Sequence, residues 1–140
     1  MGTFITPELA KSNRYRIPKH RYYELKHFCL QYRDWKARYL ELEEDLGMIS
    51  PRLSSMPRNK IFSDKTAEIA IERESLSGKI KLIEDLAKKA DPDIYKYILK
   101  SVTEDLSFVI LKTIYELPCE RDMFYDRRRK FFWLLNSARK

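Results

Sequence analysis

Arg121 and the run Arg127-Arg128-Arg129-Lys130 crowd cationic groups into one short stretch, interleaved with Asp122, Tyr125 and Asp126. A guanidinium forks onto O6 and N7 of guanine or onto two phosphate oxygens, whereas lysine serves phosphate as a point charge. Carboxylates set among arginines orient them or reject wrong bases. The chemistry on offer is therefore non-covalent recognition of a polyanion. Other chemistry finds little support. His20 and His27 lie near Cys29, but no ligand spacing joins them to Cys119 as a metal site requires. There is no Gly-rich phosphate loop and no nucleophile elbow. Glu43 and Glu44 point in different helix directions, and capping accounts for Asp91 and Asp93. The expectation is a non-enzyme without metal or cofactor.

These cations need an element that presents them. Phe124, Phe131 and Leu135 share one helical face, with Phe132 and Leu134 at its edges. Asp122, Tyr125, Asp126 and Arg129 then point the other way. In a helix-turn-helix the N-terminal half of the second helix approaches base edges. Arg129, and Arg121 from the helix start, are the candidates for guanine, and Lys130 and Lys112 for phosphates, which set register and salt dependence. Arg127 and Arg128 lie nearer the packed side, where one of them suits a structural ion pair. Trp133 falls on the outward side, which calls for packing against the N-terminal helix or a second subunit.

The rest of the chain supplies the scaffold. Three glycines and six prolines in 140 residues favour long helices over a turn-rich β fold. Leu25, Phe28, Tyr32, Trp35, Tyr39, Leu42 and Leu46 recur at alternating spacings of 3 and 4, so one helix is expected from Pro18 to Leu46, closed by Gly47. Its aromatics, interleaved with Lys26, Arg33, Lys36 and Arg38, allow stacking on single-stranded bases, but the seam spacing favours core or dimer packing. Residues 47–63 read as a loop. Ser63 or Asp64 is placed to cap a second long helix with the seam Ile69, Leu76, Ile80, Ile83, Ala87 and Ala90, interrupted by Arg73. Two such seams predict an antiparallel hairpin. Asp91-Pro92-Asp93 opens a third helix to Glu104. Ser107 caps a fourth, burying Phe108 and Leu111 with Tyr115 beside them. Leu117-Pro118-Cys119 is a turn, and a fifth helix runs from Glu120 to Ala138.

The formal net charge of +7 favours polyanionic partners. Two cysteines are too few for a disulfide framework, and reduced thiols are expected. No apolar run reaches the roughly eighteen residues of a membrane span, and no signal-peptide core stands near the start. A cytoplasmic protein with no membrane partner is the expectation.

A resemblance adds to this reading. Leu106-Ser107-Phe108, then Leu111, then Leu117-Pro118-Cys119, Arg121-Asp122, Phe124-Tyr125 and Arg128-Arg129-Lys130-Phe131-Phe132 resemble the end of small phage-encoded transcriptional regulators of the RinA and ArpU kind. Those regulators resemble in turn the helix-turn-helix of sigma factor region four. Arg21-Tyr22-Tyr23-Glu24-Leu25-Lys26 with Phe28-Cys29-Leu30-Gln31-Tyr32 is similar to phage proteins of Gram-positive hosts. The resemblance implies that Arg121, Tyr125, Arg128 and Arg129 are DNA-reading positions. The turn reads Pro118-Cys119 where that family more often has a Ser or Thr cap.

The sequence thus predicts an all-α protein: a flexible basic arm over 1–16, a helical hairpin over 17–90 and a helix-turn-helix unit over 91–140. The expected function is sequence-specific binding of double-stranded DNA in phage or prophage transcription regulation, in the cytoplasm of a bacterial host. The hairpin would serve a homodimer or a contact with RNA polymerase. The candidate DNA-binding residues are Lys112, Arg121, Asp122, Tyr125, Asp126, Arg128, Arg129 and Lys130. Two rivals are a small terminase subunit for DNA packaging and a protein–protein adaptor with no DNA role.

Overall fold

The computed structural model describes Leu9, residues 13–53 and residues 60–139, the side chains of 48–53 and 60–63 excepted. Among these residues the protein is all-α. The helices are α1 (Lys19–Leu30), α2 (Tyr32–Leu53), α3 (Lys60–Ala90), α4 (Tyr95–Glu104), α5 (Phe108–Thr113) and α6 (Arg121–Ala138). No helix among the described residues is long and apolar enough to cross a membrane.

Contacts divide the chain into two compact units: residues up to Gln31 together with those from Ile83 onward, and Tyr32–Leu82. This differs from the expected division at residue 90, because helix α1 packs against α4 and α6. The physical reason is visible at Gln31. There the long first helix is interrupted, and the Gln31 amide donates to the Phe28 carbonyl at 3.3 Å in a tighter turn. The apolar seam continues across the break, but its members serve different units.

In the larger unit the core is built from α1 (Tyr22, Leu25, Phe28, Cys29), the end of α3 (Ile83, Leu86, Ala87, Ala90), α4 (Ile98, Val102) and α6 (Phe124, Phe131, Phe132, Leu135). Tyr22 meets Phe132 edge-on, with ring centroids 5.1 Å apart. Each such ring removed from water stabilises the fold by about 2–3 kcal/mol. Asp91 holds the α3–α4 connection. Its Oδ1 accepts from the Asp93 amide at 2.8 Å and the Ile94 amide at 3.4 Å, so it holds the turn rather than capping the helix as expected, and the N-cap Ile94 has no side-chain hydrogen bond. Helix α4 begins at Tyr95 rather than Pro92, since residues 92–94 form a turn. It ends at Asp105 in the left-handed region, φ 54°. Ser107 caps α5 by accepting from the Ile110 amide.

In the smaller unit α2 and α3 run antiparallel. Lys79 lies over the Trp35 ring and Arg73 over the Tyr39 ring, while Arg38 pairs with Glu72 and Arg73 with Glu43. Arg73, the residue that interrupts the expected apolar seam, is thus placed by its aromatic and acidic neighbours across the pair. Leu42, Leu76 and Ile80 are buried. The fork from Arg38 to Glu72 and Glu41 raises the guanidinium pKa and lowers that of the Glu72 carboxyl. The expected loop over 47–63 is shorter than its composition suggests. The backbone is helical through Gly47 to Leu53 and again from Lys60, ahead of the expected caps Ser63 and Asp64. Residues 54–59 lie outside the described residues.

Candidate nucleic-acid interface

Three packed helices present the cationic stretch. Helix α4 packs against α5 and α6, and α5 meets α6 through Phe108, whose ring lies 6.0 Å from Phe124 and 6.4 Å from Tyr125. The connection between α5 and α6 is tied down from several sides. Leu117 donates its amide to the Leu111 carbonyl at 3.1 Å. Leu117 and Cys119 are buried. Glu116 turns the chain in the left-handed region at φ 56°. Lys112 Nζ donates to the carbonyls of Leu117 and Cys119, each at 3.1 Å, and lies 3.7 Å from Glu120. Lys112, expected at a phosphate, instead fastens the turn. Glu120 occupies the N-cap of α6 without a side-chain hydrogen bond.

Helix α6 buries the expected face. Phe124, Phe131, Phe132 and Leu135 are all inaccessible or nearly so. Its first turn is open: Arg121, Asp122 and Met123 are exposed, and Tyr125 is half-buried. The Arg121 guanidinium lies 5.5 Å from the Tyr125 ring centroid and 6.0 Å from that of Phe108. This cation–π seat fixes the guanidinium while leaving its hydrogen-bonding edge in water.

Farther along α6 the expected assignment changes. Arg128 is buried and its guanidinium lies over the Phe132 ring at 5.4 Å, so it is not a reading position in this conformation. Arg127 is the structural ion-pair partner. Its Nε meets Asp91 Oδ2 at 3.1 Å, and the Asp91 side chain is only 7% exposed. Asp126 collects three guanidinium groups: Arg127 at 2.8 Å, Arg14 at 3.3 Å and Arg129 at 3.9 Å. Arg129, expected to point freely outward, has a side chain only 23% exposed. Its Nε is buried without a hydrogen-bond partner among the described residues. Lys130 is half-buried.

The neighbour that periodicity could not reveal is the segment before α1. Tyr15 packs on Trp133 with ring centroids 5.6 Å apart, and Ile17 is buried. Trp133 remains 41% exposed and is partly covered by this segment. Residues 13–16 are therefore packed rather than a flexible arm. The remainder of the expected arm, Leu9 apart, lies outside the described residues. No sequence signal linked Arg14 to Asp126 or Tyr15 to Trp133, because the partners are more than a hundred positions apart.

Metal and thiol chemistry stay in the background. Among the described residues no cluster of His, Cys, Asp and Glu is arranged to hold a metal ion. Cys29 and Cys119 are both free and buried. Burial pushes the Cys29 thiol up to about 12, against the opposing pull of Arg128 and Arg139. Burial also raises that of Cys119. Neither is a thiolate nucleophile near neutrality.

The arrangement as a whole offers an open, cation-bearing helix start on a fixed turn, backed by a rigid core. No protein-family model matches the chain, and no curated protein or solved structure matches it.

Proposed function

We propose that this protein binds double-stranded DNA through the start of α6, with α5, the Lys112-fastened turn and α6 acting as a helix-turn-helix. The role is that of a phage or prophage transcription regulator of the kind its C-terminal sequence resembles. The observation that carries the reading is the open first turn of α6. Arg121, Asp122 and Tyr125 stand at a helix start whose back is buried and whose approach is held by side-chain-to-carbonyl bonds. Arg121 and Asp122 take the base edges, and Tyr125 supports the arginine. Arg129 and Lys130 add positive charge to the flank, and Arg128 drops out of the contact set. The α2–α3 pair is left for a second copy of the chain or for RNA polymerase.

Selection from random duplexes at moderate salt tests this. An enriched motif is the expected result. Recovery of unenriched sequence, with binding lost at physiological salt, would remove the sequence-specific reading.

One observation favours a second reading, an adaptor that binds another protein. Val109 and Ile114 are 59% and 67% exposed on α5 and just beyond it. Such apolar exposure suits a protein contact better than a phosphate backbone. The same selection separates the two, since an adaptor enriches nothing.

A further inference from the structure

We infer that the segment Asn13–Arg16 is the second half of the DNA-binding surface, delivering Arg14 and Arg16 to the phosphate backbone beside α6. The inference rests on the proposed DNA binding and assigns a role to a segment outside the helix-turn-helix.

The outward side of α6 is a poor match for a polyanion by itself. It carries Asp122 and Asp126, so the charge of Arg129 and Lys130 is largely offset there. The segment before α1 changes that balance. The Arg14 guanidinium meets Asp126 at 3.3 Å and yet its side chain is 67% exposed. It neutralises the carboxylate and keeps donors in water. Arg16 is also exposed. Arg127 is shared with Asp91, so with Arg14 the three guanidinium groups around Asp126 exceed the two carboxylates by one positive charge at the middle of the helix.

The segment is held in place well enough to act as a fixed element. Tyr15 seats on Trp133, Ile17 is buried, and Asn13 closes a turn by accepting the Tyr15 amide at its side chain and the Arg16 amide at its carbonyl. Tyr15 and Ile17 anchor it by packing and Asn13 by its turn, and the residues left exposed, Arg14 and Arg16, are cationic. A segment meant to mask a cationic helix would carry the opposite charge. Phosphate contacts of this kind set orientation and affinity rather than sequence choice.

The test is fluorescence anisotropy on a short labelled random-sequence duplex across a salt series, with the full chain. For the Arg14→Ala/Arg16→Ala double variant the slope of log affinity against log salt should become shallower by about 2, and affinity at physiological salt should fall by roughly tenfold. The Arg14→Lys/Arg16→Lys variant keeps both charges and should recover most of the slope. It also guards against loss of the fold, as does the helical melting curve of each variant. An unchanged slope in the alanine variant, with wild-type binding intact, overturns the inference alone. Tighter binding also overturns it, because the segment would then be a mask. Failure of the wild-type chain to bind any duplex overturns both this inference and the proposed function.

Discussion

Asp91 spends both of its oxygens on structure: one holds the turn into α4, the other receives Arg127 from α6. Removing one member of a buried pair leaves a charge without compensation and costs several kcal/mol. Asp91→Ala should therefore destabilise the protein by about 3 kcal/mol, near the low end for buried pairs because Arg127 keeps some access to water. The melting temperature should drop by roughly 10 °C. Arg127→Met should cost less alone, and the double variant should fall short of the sum of the two. Strict additivity in thermal melts would show that the two side chains do not depend on each other. Arg121 and Arg129 make the complementary pair for function. Arg121 is exposed and seated against the Tyr125 and Phe108 rings, whereas Arg129 is mostly covered and turned toward Asp126. Arg121→Ala should weaken binding to a selected site by about 1–3 kcal/mol and relax its sequence preference. Arg129→Ala should weaken selected and random duplexes alike. The reverse order in titrations would return Arg129 to the groove. The buried face of α6 was legible in the sequence because Phe124, Phe131 and Leu135 follow the helical period. The fate of each arginine was not, because it depends on carboxylates that the period does not locate.

Among the elements, the turn from α5 to α6 decides how the cationic helix starts, and Lys112 is its fastener. Two roles for this lysine give different measurements. A phosphate contact would leave stability unchanged and flatten the salt slope by about 1 on removal. A turn fastener would do the opposite. Hydrogen bonds from a charged donor are worth about 1.5–3 kcal/mol, and partial exposure of Lys112 discounts them. Lys112→Met should thus lower stability by about 1 kcal/mol, weaken duplex binding, and leave the salt slope as it was. A shallower slope at unchanged melting temperature would restore Lys112 to the phosphate. The helices themselves were largely readable. Ser107 marked the start of α5 and the seam spacings marked the buried faces, because caps and periods are local physics; Asp91, Ser63 and Asp64 did not mark the starts of α4 and α3. The interruption at Gln31 was not readable, since an apolar seam says which face is buried and not what it is buried against. Gly47 and Pro51 suggested a loop, yet the backbone stays helical through Leu53. Relative to alanine a glycine costs a helix about 1 kcal/mol and a proline about 3, penalties that disfavour the helix without forbidding it.

For the whole molecule, the division into two units predicts unequal stability. The larger unit buries rings and aliphatic side chains from α1, α3, α4, α5 and α6 around one core. The smaller unit is a pair of helices, each able to bury one stripe, and much of its contact is through exposed ion pairs such as Arg38–Glu72 and Arg73–Glu43. Exposed pairs contribute little to stability and are screened by salt. Opening the pair therefore costs less free energy than opening the core, and hydrogen exchange reports that difference directly. Peptides from 36–47 and 64–75 should exchange well before those from 95–104 and 124–135. Added salt should widen the gap by weakening the ion pairs. If the α2–α3 pair also binds a second copy of the chain, raising the protein concentration should slow exchange in that unit by mass action and leave the α6 peptides unchanged. Equal exchange in both units at every concentration would mean that the molecule opens as one cooperative body. The exposed ion pairs would then be more strongly coupled to the core than their burial allows.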